Sequence, residues 1–239
     1  MKLNSISEKS IESDCDGVFL VDKPEHFTSY KVVSCIKKRL KARKAGHAGS
    51  LDPISTGLLV ILLGKATKLF DTIVAGDKVY EGTLVLGVRT DTQDVEGKII
   101  EEKDIKDIKQ SDIKEAFEKF VGDIYQIPSS FSALKHNGTP LYKLARKGIF
   151  IQKDPRKISI KSFDVVSIKL PQVKFRVFCS RGTYVRQLCE DIGQHLKTGA
   201  YLLQLRRISC GCYDVKNALT FSEIEKMSIE ELRKKIMPV

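Results

Sequence analysis

The sequence has no tryptophan, only 7 prolines and 16 glycines among 239 residues, and no apolar run longer than Leu58 to Leu63. The modest proline and glycine content excludes collagen-like and low-complexity architectures. A membrane-spanning helix needs roughly 18 or more consecutive apolar residues, so the longest run here has only the length of a strand. The opening stretch, Met1 to Gly17, is polar and lacks the apolar core of a secretory signal, so the cytoplasm is the expected compartment. Histidines are few: His26, His47, His136 and His195 stand far apart, and no H-E-x-x-H appears. The six cysteines, at 15, 35, 179, 189, 210 and 212, form no pair of C-x2-C motifs. They are expected to be buried free thiols, with no metal site.

Several nucleotide and nucleophile motifs are missing as well. No G-x-G-x-x-G follows a strand, which removes the dinucleotide reading. Gly64-Lys65-Ala66-Thr67 has the ending of a phosphate loop. Leu59 replaces its first glycine, however, and Ala66 its Ser/Thr. There is no G-x-S-x-G nucleophile elbow.

What is present is positive charge. Lys and Arg number 41 against 30 Asp and Glu, a formal net charge of +11. Such an excess attracts polyanions, with RNA, DNA and anionic lipid all eligible. Its densest run is Lys37-Lys38-Arg39-Leu40-Lys41-Ala42-Arg43-Lys44. Cations suit a helix C-terminus, but this many exceed what capping needs and suggest a phosphate-facing patch. A merely solvated face is the plain alternative.

Strand-like and helix-like segments alternate, with no internal repeat. Val18 to Val21 reads as a strand. Thr28 or Ser29 can cap a helix carrying Val32, Val33, Ile36 and Leu40 on one face. Strands are expected at Leu58 to Leu63, Lys78 to Val88, Ile158 to Cys179 and Tyr201 to Ile208. Helices are expected at Lys65 to Val74, Ser111 to Val121, from Thr183 as N-cap to Leu196, and near Ser222 to Met227. The pattern predicts an α+β domain over residues 17–239, built on a mixed, largely antiparallel sheet, behind a flexible polar leader at residues 1–16.

Three features suggest chemistry. Asp52 precedes Pro53, which disfavours a helical conformation, and Gly46, Gly49 and Gly57 surround it. A carboxylate displayed on such a loop can act as nucleophile or base, although Asp-Pro also opens ordinary turns. Arg186 falls in the first turn of a helix, where the dipole disfavours a cation by a few tenths to ~1 kcal/mol. It therefore calls for an anion, either a phosphate or a carboxylate such as Asp52. Tyr80 opens an alternating strand beside Lys78. An aromatic there can stack on an unpaired base, worth ~1–3 kcal/mol, or simply pack in the sheet.

Taken in order, these residues resemble the TruB-type tRNA pseudouridine synthases, relatives of the Cbf5/dyskerin enzymes. The likeness lies in Gly17 to Pro24, Gly46 to Pro53 with Thr56-Gly57-Leu58-Leu59, Lys78-Val79-Tyr80 and Gly87 to Asp94. It continues through Gln126-Ile127-Pro128, Ser132 to Lys135, Leu141-Tyr142, Ala145 to Gly148, Ser180 to Arg186 and Leu205-Arg206-Arg207. It covers about residues 17–220. Two positions depart from the usual pattern, Ser50 and Arg181.

The resemblance implies the pseudouridine synthase fold and isomerisation of uridine to pseudouridine in the T-loop of tRNA, at the nucleotide conventionally called 55, without a cofactor. It implies that Asp52 is the essential carboxylate, that Tyr80 stacks on the target uracil, and that Arg186 pairs with Asp52. It implies that Tyr184 and Leu205 line the pocket, that His47 supports the extruded nucleotide, and that Lys23 contacts substrate. It further implies a monomer that needs no protein partner and no membrane. Longer members carry a C-terminal RNA-binding domain of the PUA type, which this sequence is expected to lack. A non-catalytic tRNA-binding or tRNA-folding module of the same fold is the rival reading.

Overall fold

The computed structural model describes residues 15–239. The expected leader thus falls mostly on residues 1–14, outside the described residues. Its last two positions are packed. Cys15 is buried, and Asp16 accepts the Lys65 backbone N–H at 2.8 Å.

The strands are β1 (Gly17–Lys23), β2 (Ala45–His47), β3 (Ser55–Leu63), β4 (Lys78–Leu86), β5 (Val88–Thr90), β6 (Ile99–Glu102) and β7 (Gly122–Gln126). There follow β8 (Lys135–His136), β9 (Thr139–Pro140), β10 (Arg156–Lys169), β11 (Gln172–Cys179), β12 (Ala200–Cys210), β13 (Tyr213–Asp214) and β14 (Leu219–Thr220). The helices are α1 (Ser29–Leu40), α2 (Phe70–Ala75), α3 (Gln110–Glu118), α4 (Leu141–Ala145), α5 (Val185–His195), α6 (Phe221–Lys226) and α7 (Ile229–Lys234). A ten-stranded sheet runs β14-β1-β3-β12-β4-β11-β10-β7, with β2 added to β3 and β13 to β12. Only β1 with β14 and β3 with β12 pair in parallel. This is the mixed, largely antiparallel sheet that the sequence predicts.

The apolar run of β3 is explained by burial on both faces. Leu59, Ile61 and Leu63 join Phe19 and Val21 of β1 beneath α1, α6 and α7. Leu58, Val60 and Leu62 join Val18 and Leu20 on the opposite side. The other half of the sheet is amphipathic. Val173, Phe175 and Val177 of β11 and Leu84 and Leu86 of β4 face α3 and α5. The alternate residues Lys174, Arg176 and Glu81 face solvent, as the period of two requires.

Thr28 caps α1 by accepting the Lys31 N–H at 3.1 Å, and Lys41 ends it in the left-handed region at φ 54°. Arg39 departs from the expected phosphate patch. It donates to the carbonyls of Glu225 and Met227 at 3.0 and 2.7 Å, tying α1 to the end of α6. The other five cations of the run are exposed. The helix expected from Lys65 to Val74 is instead a 3-10 segment, Gly64–Leu69, followed by the short α2. Cys15, Cys179, Cys189 and Cys210 are buried as thiols, whereas Cys35 and Cys212 are exposed, contrary to expectation. No helix among the described residues is long and apolar enough to cross a membrane.

Candidate active site

Asp52 sits on the loop between β2 and β3. The turn closes where Ser55 N–H donates to the Asp52 carbonyl at 3.0 Å. Ser29, the first residue of α1, brackets the preceding residue. Its Oγ accepts the Leu51 N–H at 2.9 Å and donates to the Leu51 carbonyl at 3.1 Å. His26 N–H donates to the Pro53 carbonyl at 2.8 Å. These bonds fix the backbone on both sides of Asp52 while its carboxylate stays 43% exposed.

Arg186 comes to this carboxylate from α5. Its Nε donates to Asp52 Oδ2 at 2.9 Å. Nη1 donates to the Thr92 carbonyl at 3.0 Å and Nη2 to the Phe131 carbonyl at 2.9 Å. Asp94 Oδ2 lies 3.7 Å from Nε. Three segments distant in sequence therefore converge on one guanidinium, which is 6% exposed. A buried cation is tolerable only with this degree of pairing. Asp94 is itself buried, and desolvation pushes its carboxyl above the ordinary aspartate value, opposed by the Thr92 hydroxyl and by Arg186.

The start of α5 differs in detail from the sequence reading. Tyr184, not Thr183, is the N-cap, and no side chain of its own caps the helix. Thr183 Oγ1 donates instead to the Ser180 carbonyl at 3.0 Å. Gln126, at the end of β7, grips the Tyr184 backbone from outside. Its Oε1 accepts the Tyr184 N–H at 2.8 Å, and its Nε2 donates to the Tyr184 carbonyl at 3.1 Å. Arg186 still falls in the first turn, where an anion is favoured and a cation is not.

Tyr80 lies on β4, between Arg207 of β12 and Val177 of β11. It is 8% exposed. Burial drives its phenol up to about 12, and the positive charge of Arg207 works against that rise. Leu205 is opposite Ser55 on one side and Gly82 on the other. Beside it opens a cavity of about 440 Å³, lined by Ile54, Thr56, Gly82, Phe175 and Gln204 among others. Asp52, Tyr80 and Arg186 are not among the residues that line this cavity. His47 is half-buried on β2, where burial and Arg207 hold its imidazole below the ordinary histidine value.

Lys23 does not face a substrate surface. It is fully buried, and its Nζ donates to the carbonyls of Pro24, Phe27 and Pro53 at 2.9, 2.6 and 3.2 Å. It is a brace beneath the Asp52 loop rather than a contact for a ligand. Desolvation lowers its pKa to about 8.

Taken one residue at a time, the sequence does not point to Asp94, Gln126, Ser29 or Arg207. Asp94 and Arg207 end two of the family-like motifs, Gln126 opens a third, and Ser29 is marked only as a possible helix cap; nothing local shows their role at the site, since their partners come from other segments. Among the described residues, no three His, Cys, Asp or Glu side chains are grouped to hold a metal ion.

Comparison with known proteins places this geometry in a family. Residues 37–185 match the TruB family pseudouridylate synthase N-terminal domain, and residues 186–239 match the tRNA pseudouridylate synthase B C-terminal domain. The chain is 42% identical over 226 residues to tRNA pseudouridine synthase B of Opitutus terrae, covering 95% of this chain and 94% of the relative. It is 45% identical over 227 residues to the protein of the same name from Endomicrobium trichonymphae, covering 95% and 98%. Among solved structures it is similar to that of a Cbf5-Nop10-Gar1 complex, with a TM-score of 0.73 and 28% identity, over 94% of this chain and 61% of the other. It is also similar to that of an H/ACA RNP bound to a substrate RNA containing 2'-deoxyuridine. There the TM-score is 0.68 and the identity 28%, over 94% and 60%.

Proposed function

The chain belongs to the TruB family of pseudouridylate synthases, and from that membership we propose that it converts uridine to pseudouridine in the T-loop of tRNA, acting as a monomer without a cofactor. The observation that carries the reading is the Asp52–Arg186 pair at 2.9 Å, held half-open on a braced loop. A carboxylate kept only for stability gains little from an exposed face. One kept for reaction needs that face.

The isomerisation breaks the N1–C1′ bond, turns the uracil, and joins C1′ to C5. The proton on C5 is then lost, and N1 takes one up. A base stacked in a helix cannot turn, so the nucleotide must be everted, at a cost of a few kcal/mol. Contacts to phosphates offset this. Asp52 serves as the reacting carboxylate at C1′, at C6, or toward the 2′ proton. Arg186 orients it through Nε, while its two other nitrogens are occupied by backbone carbonyls and cannot swing away. Tyr80 offers its flat face to the displaced uracil, Tyr184 and Leu205 line the pocket for it, and His47 supports the everted nucleotide. The Tyr80 phenol stays protonated at neutral pH and can donate a hydrogen bond.

Tritium release from tRNA carrying 5-tritiated uridine tests the reading. The wild-type chain should release tritium, and Asp52→Ala should abolish release while still binding tRNA. Equal release by mutant and wild type would remove Asp52 from the mechanism. Binding without release by the wild type would favour a non-catalytic tRNA-binding role.

A further inference from the structure

Arg207 is the largest of the fully buried side chains, 1% exposed at the centre of the sheet. Among the described residues no carboxylate pairs with it. Its Nε donates to the Leu58 carbonyl at 2.7 Å and its Nη2 to the Gly49 carbonyl at 3.1 Å. A buried guanidinium without a counter-ion is costly. An apolar residue would suit the stability of a sheet interior better. Departures from local rules of this kind cluster at functional sites.

The register shows what the residue holds. β12 pairs with β3 at three positions only, Leu205 with Ser55, Arg206 with Thr56 and Arg207 with Gly57. On its other side Arg207 is paired with Tyr80 of β4. The Arg207 backbone thus lies between the trailing end of the Asp52 loop and Tyr80. Its side chain reaches back to Gly49, the leading end of the same loop. Gly49 and Gly57 both have left-handed φ values, 95° and 96°. A β-carbon on Gly49 would stand 3.4 Å from Arg207 Nη1, and one on Gly57 only 2.3 Å from the Arg207 carbonyl oxygen. Gly57 leaves room for the Arg207 backbone, while at Gly49 it is the left-handed backbone, which a side chain would strain, that presents the carbonyl to Arg207 Nη2.

We infer that Arg207 is a positioning residue, which closes the Asp52 loop at both ends and sets Asp52 and Tyr80 at a fixed separation for the isomerisation. It touches neither substrate nor reacting atoms. Its effect passes through the loop and through the Tyr80 phenol beside its guanidinium, so it belongs to the rate of the chemical step and not to the affinity for tRNA. Displacements of about an ångström at a reacting group are enough for ~100-fold in rate. Lysine at this position keeps the charge but cannot reach both carbonyls with one fork.

The inference rests on Asp52 being the reacting carboxylate. The experiment is single-turnover tritium release at saturating enzyme, with tRNA affinity and thermal unfolding measured on the same proteins. It compares wild type, Asp52→Ala, Arg207→Lys, Arg207→Gln, Gly49→Ala and the Gly49→Ala/Arg207→Lys double variant. Arg207→Lys should lose about 30-fold or more in rate, with affinity unchanged within about twofold. Gly49→Ala should be slow in the same manner, and the double variant little slower than either single one.

A folded Arg207→Lys or Arg207→Gln with a wild-type rate would overturn the inference. So would rate and affinity falling in proportion, or rate losses that multiply fully in the double variant. If both Arg207 variants fail to fold, Gly49→Ala decides: a wild-type rate overturns the clamp, and a slow rate with intact affinity supports it. Release by Asp52→Ala is a separate outcome, which sinks the premise rather than the clamp.

Discussion

Lys23 carries a sign that can be measured. Its folded pKa is lowered to about 8 from an ordinary 10.5, chiefly by desolvation. Between those values the unfolded chain holds a proton that the folded chain has released. Stability attributable to this residue therefore rises with pH from about 8 to about 10.5, the reverse of a lysine that gains a partner on folding. Urea titrations of wild type and Lys23→Met across that window should show the wild type gaining on the variant as pH increases. A constant difference would mean that the amine is not desolvated as the structure has it. The motif containing Lys23 was legible in the sequence, but its use was not. Which carbonyls lie above an amine depends on Phe27 and Pro53 returning to the same point, and linear spacing does not encode that. Arg186 was legible for the opposite reason. A cation in the first turn of a helix breaks a local electrostatic rule, and the rule break is visible in one dimension.

Helix α1 separates two kinds of cation that sequence could not separate. Lys37, Lys38, Lys41, Arg43 and Lys44 are exposed, while Arg39 is spent on the carbonyls of Glu225 and Met227. Replacing the five by glutamine should flatten the dependence of tRNA affinity on salt, because a phosphate that no cation neutralises keeps its condensed counterions. Replacing Arg39 alone by alanine should leave that slope intact and lower the unfolding temperature, since about two hydrogen bonds to a neighbouring helix disappear, each worth roughly 0.5–1.5 kcal/mol. Filter binding between 50 and 200 mM salt, with thermal melts of the same variants, checks both. An unchanged slope for the fivefold variant places the RNA-binding face elsewhere. The long amphipathic elements, α1, α3, α5 and the half-wet strands such as β11, were readable from period, and β3 from its unbroken apolar run. The two-residue strands β8, β9, β13 and β14 and the helix α7 were not. Such short pieces are fixed by their partners and carry no periodicity of their own.

At the scale of the molecule, the chain's two halves are interleaved. β12, from residues 200–210, runs between β3 and β4, and β14 pairs with β1. The division between the two matched family segments, after residue 185, cuts through α5 and leaves Arg186 on the far side from Asp52. A fragment of residues 1–185 should consequently lack a cooperative thermal transition, whereas the full chain should melt in one step, with far-ultraviolet and tyrosine signals coinciding. Two separated transitions in the full chain would contradict a single folding unit over 17–239. Fold class was legible because alternation of strand and helix patterns survives without any knowledge of pairing. Strand order was not, since β12 enters the middle of the sheet, between β3 and β4, more than a hundred residues after β4 ends.

The apolar character of β3 on both faces leaves a difficulty of alignment. A strand with one wet face resists slipping, because a one-residue shift would drown its polar side chains. β3 has no such guard: Leu59 and Val60 could exchange places with little change in hydrophobic free energy. The guard is a notch. Only a residue without a side chain can sit where Gly57 meets the Arg207 carbonyl, and its neighbours Thr56 and Leu58 are both too large to take that seat. One missing methyl thus sets the longitudinal position of the whole strand, and with it how far the adjoining carboxylate projects.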